Sequence, residues 1–312
     1  MKGAVAYLRP MTTHGTTVDK LISVLPEQPE KKYKKIGELA LGVERHILIL
    51  DHKEMTSKGK DLGLFIMKDF TDCDQIDAIR RIKHPRFVAV QEMFHTENRY
   101  SVIFEYIPIS LLELRLPFLN ENDLTAIVGQ VFDGLSFLEK VGLKHGKLTC
   151  STILIDFDGI VKIWGYEESH AASDSERDIR DLGNVIMELM QGYPKDDGAV
   201  GIEDLERWPA DSRAVEFLSA TTWASKISEL TKLPLLQQDW HPSWLKGIVC
   251  RANVTNQVTL PKNRVENPTN QSRIIIGWMC WMCRMYWMCT TSTTSTTSKH
   301  IQETKHITTN LN

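Results

Sequence analysis

The pattern of apolar and polar positions changes character near residue 110. Before that point the chain carries short apolar runs, "HILIL" at 46–50, "LGLFIMK" at 62–68, "RFVAVQEMF" at 86–94 and "YSVIFEYI" at 100–107, separated by turn-like polar stretches. Runs of that length and spacing predict a meander of antiparallel strands. Between the second and third runs, Ile76, Ile79 and Ile82 recur every third residue, which predicts one helix face ending at His84-Pro85. Beyond residue 110 the periodicity is helical. "ENDLTAIVGQVFDGLSFLEKVG" aligns Leu124, Ile127, Val128, Val131, Leu135 and Leu138, with Asn120 or Asn122 as its opening cap and Gly142 as its close. "SERDIRDLGNVIMELMQG" aligns Ile179, Leu182, Val185, Ile186 and Leu189 before Gly192. Further helices are predicted in "SRAVEFLSATT" and "SKISELTKL". Strands first and helices later predict a two-lobed α+β fold rather than alternating βαβ units.

The ends of the chain lack this order. Residues 1–32 mix Thr, Pro and Gly and lead into a charged stretch, which predicts a flexible lead-in. The domain is expected at 33–245, with an antiparallel β N-lobe at about 33–108 and a mainly helical C-lobe at about 109–245. Residues 246–312 are expected to form a low-complexity or partly disordered tail, with "TTSTTSTTS" at 290–298. The apolar stretch at 274–289 is interrupted by Arg284 and falls short of the roughly 20 residues that a bilayer-spanning helix needs.

Composition narrows the partner classes. The 312 residues are 42% hydrophobic and 25% charged, as in ordinary globular proteins, and the formal net charge of −3 supplies no pull toward nucleic acid or an anionic membrane. The N-terminus has no apolar run of secretory type, and the cysteines at 73, 150, 250, 280, 283 and 289 are expected as free thiols. An intracellular setting, cytoplasmic or nuclear, is therefore expected. Cys280 and Cys283 form a C-x-x-C without the second ligand pair of a zinc ribbon, so no metal is expected there.

The candidate chemistry lies in "LKHGKLTCSTILID" at 143–156 and "GIVKIWGYEE" at 159–168. With "QVFDGLSFLEKVGLKHGKL", these segments resemble the protein kinase family, in the phrasing of its STE20/PAK-like serine/threonine members, over roughly residues 33–240. The resemblance implies a two-lobed fold and a set of positions that handle nucleotide, metal and substrate. In "GELALGVE", Gly37 and Gly42 fall at glycine positions of the phosphate-covering loop as nucleotide contacts, while Leu39 and Glu44 depart from its pattern. Lys68 matches the strand lysine that pairs with phosphates, and its helix glutamate is replaced by Gln75, with Asp72 or Asp74 as substitutes.

In the catalytic loop, His145 is kept as a brace, Lys147 stands where the proton-accepting aspartate belongs, and Thr152 replaces the metal-binding asparagine. An ammonium group cannot accept the substrate proton. Gly165 replaces the metal-binding aspartate, followed by Tyr166 and Glu167, and Glu167 is expected to point elsewhere. Only "ESHAASDSER" separates Glu167 from Asp178, and the family's A-P-E ending is missing. Asp178 is expected to brace the loop near His145 from beneath, and Gly183 to permit close helix packing. Near the end, Trp223 or Ala224 stands in place of the family's arginine and Leu233 in place of its histidine.

Fold-holding positions are thus kept and phosphate-handling positions lost, which implies a catalytically inactive domain, a pseudokinase that binds or scaffolds an unidentified protein partner. No cofactor is expected, with room left for ATP bound without strong magnesium dependence. The alternative is a weak ATP-dependent serine/threonine kinase that pairs Lys68 with Asp156 or Asp158 of "IDFDGI"; a third is a decayed gene copy whose product folds poorly.

Overall fold

In the computed structural model the residues described are 24–41, 44–53, 63–114, 119–171, 176–195 and 197–259; Gly42, the first part of the expected lead-in and residues 260–312 lie outside them. Period-two alternation builds the first lobe. The strands β1 (Val24–Leu25), β2 (Tyr33–Leu41), β3 (Glu44–His52), β4 (Leu64–Phe70), β5 (Val90–Thr96) and β6 (Arg99–Glu105) form one sheet in the order β1-β5-β6-β4-β3-β2. Pairing is antiparallel except where β1 joins the outer edge of β5 in parallel, Val24 opposite Met93. Ile66, Met93, Val102 and Phe104 are fully buried beneath the sheet. Tyr33, Leu50, Phe94 and Ile103 form a smaller cluster of their own. Helix α1 (Cys73–Arg81) follows β4, opened by Asp72, whose carboxylate accepts the Asp74 N–H. Ile76 and Ile79 face inward, and Ile82 is buried just past the last turn.

The second lobe starts after the short strand β7 (Ile109–Ser110). Asn120, not Asn122, caps α2 (Glu121–Lys140) through a reciprocal box with Asp123. Its six predicted apolar positions are all buried. The same helix buries Gln130, whose amide donates to the Ala126 and Gly159 carbonyls and accepts from the Val161 N–H and from Arg86. Those bonds fasten the hairpin β9 (Ile153–Ile155) and β10 (Val161–Ile163) against α2, while β8 (Leu143–Lys144) pairs with β11 (His170–Ala171). Helix α3 (Glu176–Gln191) buries its predicted stripe and ends at Gly192, whose φ of +92° gives the left-handed close. Helices α4 (Arg213–Ala220), α5 (Pro234–Gln237) and α6 (Lys246–Thr259) complete the lobe.

Two segments differ from the periodicity reading. "SKISELTKL" holds a 3₁₀ turn at Ile227–Lys232 rather than an α-helix, because Pro234 denies the next amide and disfavours helical dihedrals at Leu233. Residues beyond the expected boundary at 245 continue as α6, with Val249 and Ala252 buried against the lobe and Lys246 paired to Asp158 at 2.8 Å. Its β-branched and Asn-rich sequence hides the helical period. One continuous core runs from Leu41 in the sheet to Ala252 in α6 and passes directly behind the β9–β10 hairpin. The molecule has the two-lobed kinase-like architecture. Among the described residues, no helix is long and apolar enough to cross a membrane.

The hairpin turn is a sensitive point of this packing. Gly159 has φ of +81°, and a Cβ there would stand 1.9 Å from the Pro242 carbonyl oxygen. Gly159→Ala is expected to cost about 3 kcal/mol, read as a lower urea midpoint. Gly142→Ala, with φ of +70° and open space around it, should cost only about 1 kcal/mol of backbone strain.

Candidate functional site

Lys68, Ile66 and Phe70 share a face of β4, and Ile66 and Phe70 join the core cluster that also holds second-lobe residues. Lys68 Nζ lies 2.5 Å from Glu167 Oε1, with the lysine side chain 28% exposed and the glutamate 1%. The ammonium also stands 5.6 Å from the Phe70 ring centroid and 5.5 Å from that of Trp164. Glu167 therefore does not point away, as its sequence position suggested. Gly165 adopts φ of +80°, and this left-handed residue turns the chain into a 3₁₀ turn at Tyr166–Glu168. Tyr166 anchors the turn: its hydroxyl donates to the Val88 carbonyl at 2.9 Å, and its ring meets Phe87 edge-on. The turn packs against α1, and Glu167 extends from it to the lysine. Gln75 on α1 is half-buried and takes no part in the contact, and Asp72 is engaged as the α1 cap.

The neighbouring loop is held from beneath. Asp178, 3% exposed, accepts the His145 N–H at 2.8 Å and the Gly146 N–H at 2.7 Å. The fully buried His145 ring accepts the Lys147 N–H at Nδ1, which leaves Nε2 to donate to the Trp164 carbonyl at 3.0 Å. Burial pushes its pKa below the usual histidine value, consistent with the neutral ring. Lys147 reaches the carboxylate of Glu168 on the turn after Gly165. The Thr152 hydroxyl accepts the Thr149 N–H at 2.9 Å and donates to the Thr149 carbonyl at 3.1 Å.

The side-chain ligands that a magnesium nucleotide would need at these positions are absent or engaged. Gly165 has no side-chain ligand atom, the Thr152 hydroxyl closes its own turn, and the two nearby carboxylates, Glu167 and Glu168, each carry a lysine. No group of three His, Cys, Asp or Glu among the described residues could hold a metal ion. Leu41, Ile66, Phe104 and Trp164 belong to one buried cluster, with the Phe104 and Trp164 rings edge-on at 4.9 Å. Gly37 lies within β2 with open space where a Cβ would go.

The acids considered as substitutes lie elsewhere. Asp156 accepts the Asp158 and Ile160 amides in the β9–β10 turn, and burial raises its pKa. Asp158 pairs with Lys246 on α6. Trp223 is 61% exposed, Ala224 is buried and Leu233 half-buried. A Cβ at Gly183 would stand 2.6 Å from the Thr221 hydroxyl, so α3 approaches the end of α4 closely. Sequence reasoning missed Glu167 and Glu168 as the partners of the two lysines and Trp164 as the ring beside Lys68. The signal available was "WGYEE" itself, a glycine able to turn the chain before two acids.

The family model for protein tyrosine and serine/threonine kinases matches residues 67–181, from β4 into α3. Mitogen-activated protein kinase kinase kinase A of Dictyostelium discoideum is 27% identical over 159 residues, which cover 50% of this chain and 17% of that protein. Human cyclin-dependent kinase 15 is 22% identical over 205 residues, covering 55% and 45% respectively. Protein kinase domain-containing protein ppk2 of Schizosaccharomyces pombe is 23% identical over 147 residues, covering 39% and 22%. The chain thus spans less than half the length of each of these relatives.

The buried pair has a measurable consequence. Lys68→Met leaves the Glu167 carboxylate buried without its cation and is expected to cost about 3 kcal/mol in urea unfolding. Glu167→Gln added to Lys68→Met should restore most of that loss, giving a coupling energy well above the ~0.5 kcal/mol of independent sites.

Proposed function

We propose that the protein-kinase-like domain of this chain is non-catalytic and acts as a protein-binding scaffold. The observation that carries this reading is the buried ion pair: Lys68, the cation that would meet phosphate, is held by the buried carboxylate of Glu167. Phosphoryl transfer depends on positioning and on metal ions that neutralise charge on the phosphates. At the family's metal positions this chain offers Thr152 and Gly165. Where a base would take the proton of the attacking hydroxyl stands Lys147, itself paired with Glu168.

Each loss would lower the rate on its own, and together they remove the base, the ligands and the phosphate cation. The segment after Glu167 reaches α3 within about nine residues, too short to present the long surface on which the family's peptide substrates lie. What remains is a rigid loop, braced by Asp178 and His145, inside an intact core. A domain that keeps its packing while its reactive groups are engaged with one another is suited to holding a partner.

Calorimetric titration of ATP into the full chain, with and without magnesium, tests this reading. The expected result is no binding heat at millimolar nucleotide and no transfer of labelled phosphate to the chain or to a generic protein substrate. ATP binding strengthened by magnesium, accompanied by phosphate transfer, would overturn it.

A further inference from the structure

Along α4 and the turn that follows it, Glu216, Ala220 and Trp223 recur at helical spacing and share one face. Trp223, at 61%, is the most exposed large hydrophobic residue among those described. A groove of about 470 Å³ opens beside it, lined by Val215, Leu233, Asp211 and Glu216 among others. Its lining carries these two carboxylates and no cation. Neither carboxylate has a hydrogen-bond or ion-pair partner among the described residues, unlike nearby Glu229, which accepts from the Ser225 amide. The groove lies in the second lobe, away from Lys68 and Glu167.

We propose that this groove docks a segment of a partner protein that presents an arginine or lysine beside a large apolar side chain. The charge complementarity selects that chemistry. A guanidinium or ammonium over the exposed indole face gains from the ring quadrupole. Two unpaired carboxylates within the same groove can accept its N–H donors. The apolar neighbour would cover Val215 and Leu233, the arrangement of an aromatic anchor with a polar rim that dominates binding at many interfaces. An acidic or neutral polar segment would leave both carboxylates unmatched. The proposal rests on the scaffold reading and names its partner's chemistry.

The test pans a phage-displayed library of random short peptides on the full-length chain and measures the synthesised winners by fluorescence anisotropy. Winners are expected to pair Arg or Lys with an apolar neighbour. Their affinity should fall about tenfold or more in Trp223→Ser and in Glu216→Lys, and should weaken in high salt. Both side chains are exposed, so melting temperatures should stay unchanged. Absence of winners, acidic winners, or winners bound equally by both variants would overturn the proposal. So would Trp223-dependent dimerisation in sedimentation, which would give the groove to a second copy. Hydrogen-exchange protection of residues 260–312 that disappears in Trp223→Ser would likewise overturn it, by giving the groove to the chain's own C-terminal residues. Loss of peptide binding alongside absent ATP binding would remove the groove and leave the non-catalytic reading intact. Magnesium-dependent ATP binding with intact peptide binding would do the reverse.

Discussion

Taking a carboxylate out of water costs more free energy than most single contacts return, and at Glu167 the compensating charge is Lys68. The surrounding structure is arranged about that requirement. Gly165 supplies the left-handed turn, Tyr166 pins the turn to the Val88 carbonyl, and the Phe70 and Trp164 rings stand beside the ammonium. Burial of the Glu167 carboxylate strengthens its attraction to the lysine and raises the cost of separating the two. The second oxygen of Glu167 and the Trp164 N–H are buried without partners, so the site retains unmet polar demand even when closed.

The loop beside this pair is held chiefly by bonds to backbone groups. Asp178 bonds backbone amides, His145 bonds a backbone carbonyl, and Thr152 bonds the backbone of its own turn. The bonds of Asp178 and His145 involve neither the Lys147 side chain nor Gly165. The residue types at 147 and 165 therefore do not decide these bonds. Lys147 lies 64% exposed and pairs with Glu168 at the surface, an arrangement that adds little to stability.

The parts legible in the sequence are those where burial repeats with a local period. The stripe from Leu124 to Leu138 and that from Ile179 to Leu189 are buried as their spacing predicts. The Asn120 cap could not be told from Asn122 by spacing, because the reciprocal bond with Asp123 decides it. Helix α6 lacked a readable period, since its helical state comes from packing against the Leu111–Leu114 turn and the β9–β10 hairpin rather than from propensity. The parallel β1 pairing was invisible for a similar reason: two residues carry no pattern, and β5 supplies the partner from about 70 positions away.

The amino-acid sequence by itself determined which groups are present at the loop: Lys147, Thr152 and Gly165 are facts of residue type that hold in any conformation. It also determined the two-lobed order, because strand and helix periods are properties of neighbouring residues. Only the tertiary structure decided that Glu167, 99 positions from Lys68, is the carboxylate that reaches it. That contact requires the dihedral angle at Gly165, the anchor at Tyr166 and the placement of α1 to hold together. Such a contact is set by the joint packing of distant elements, and no local pattern of residues encodes it.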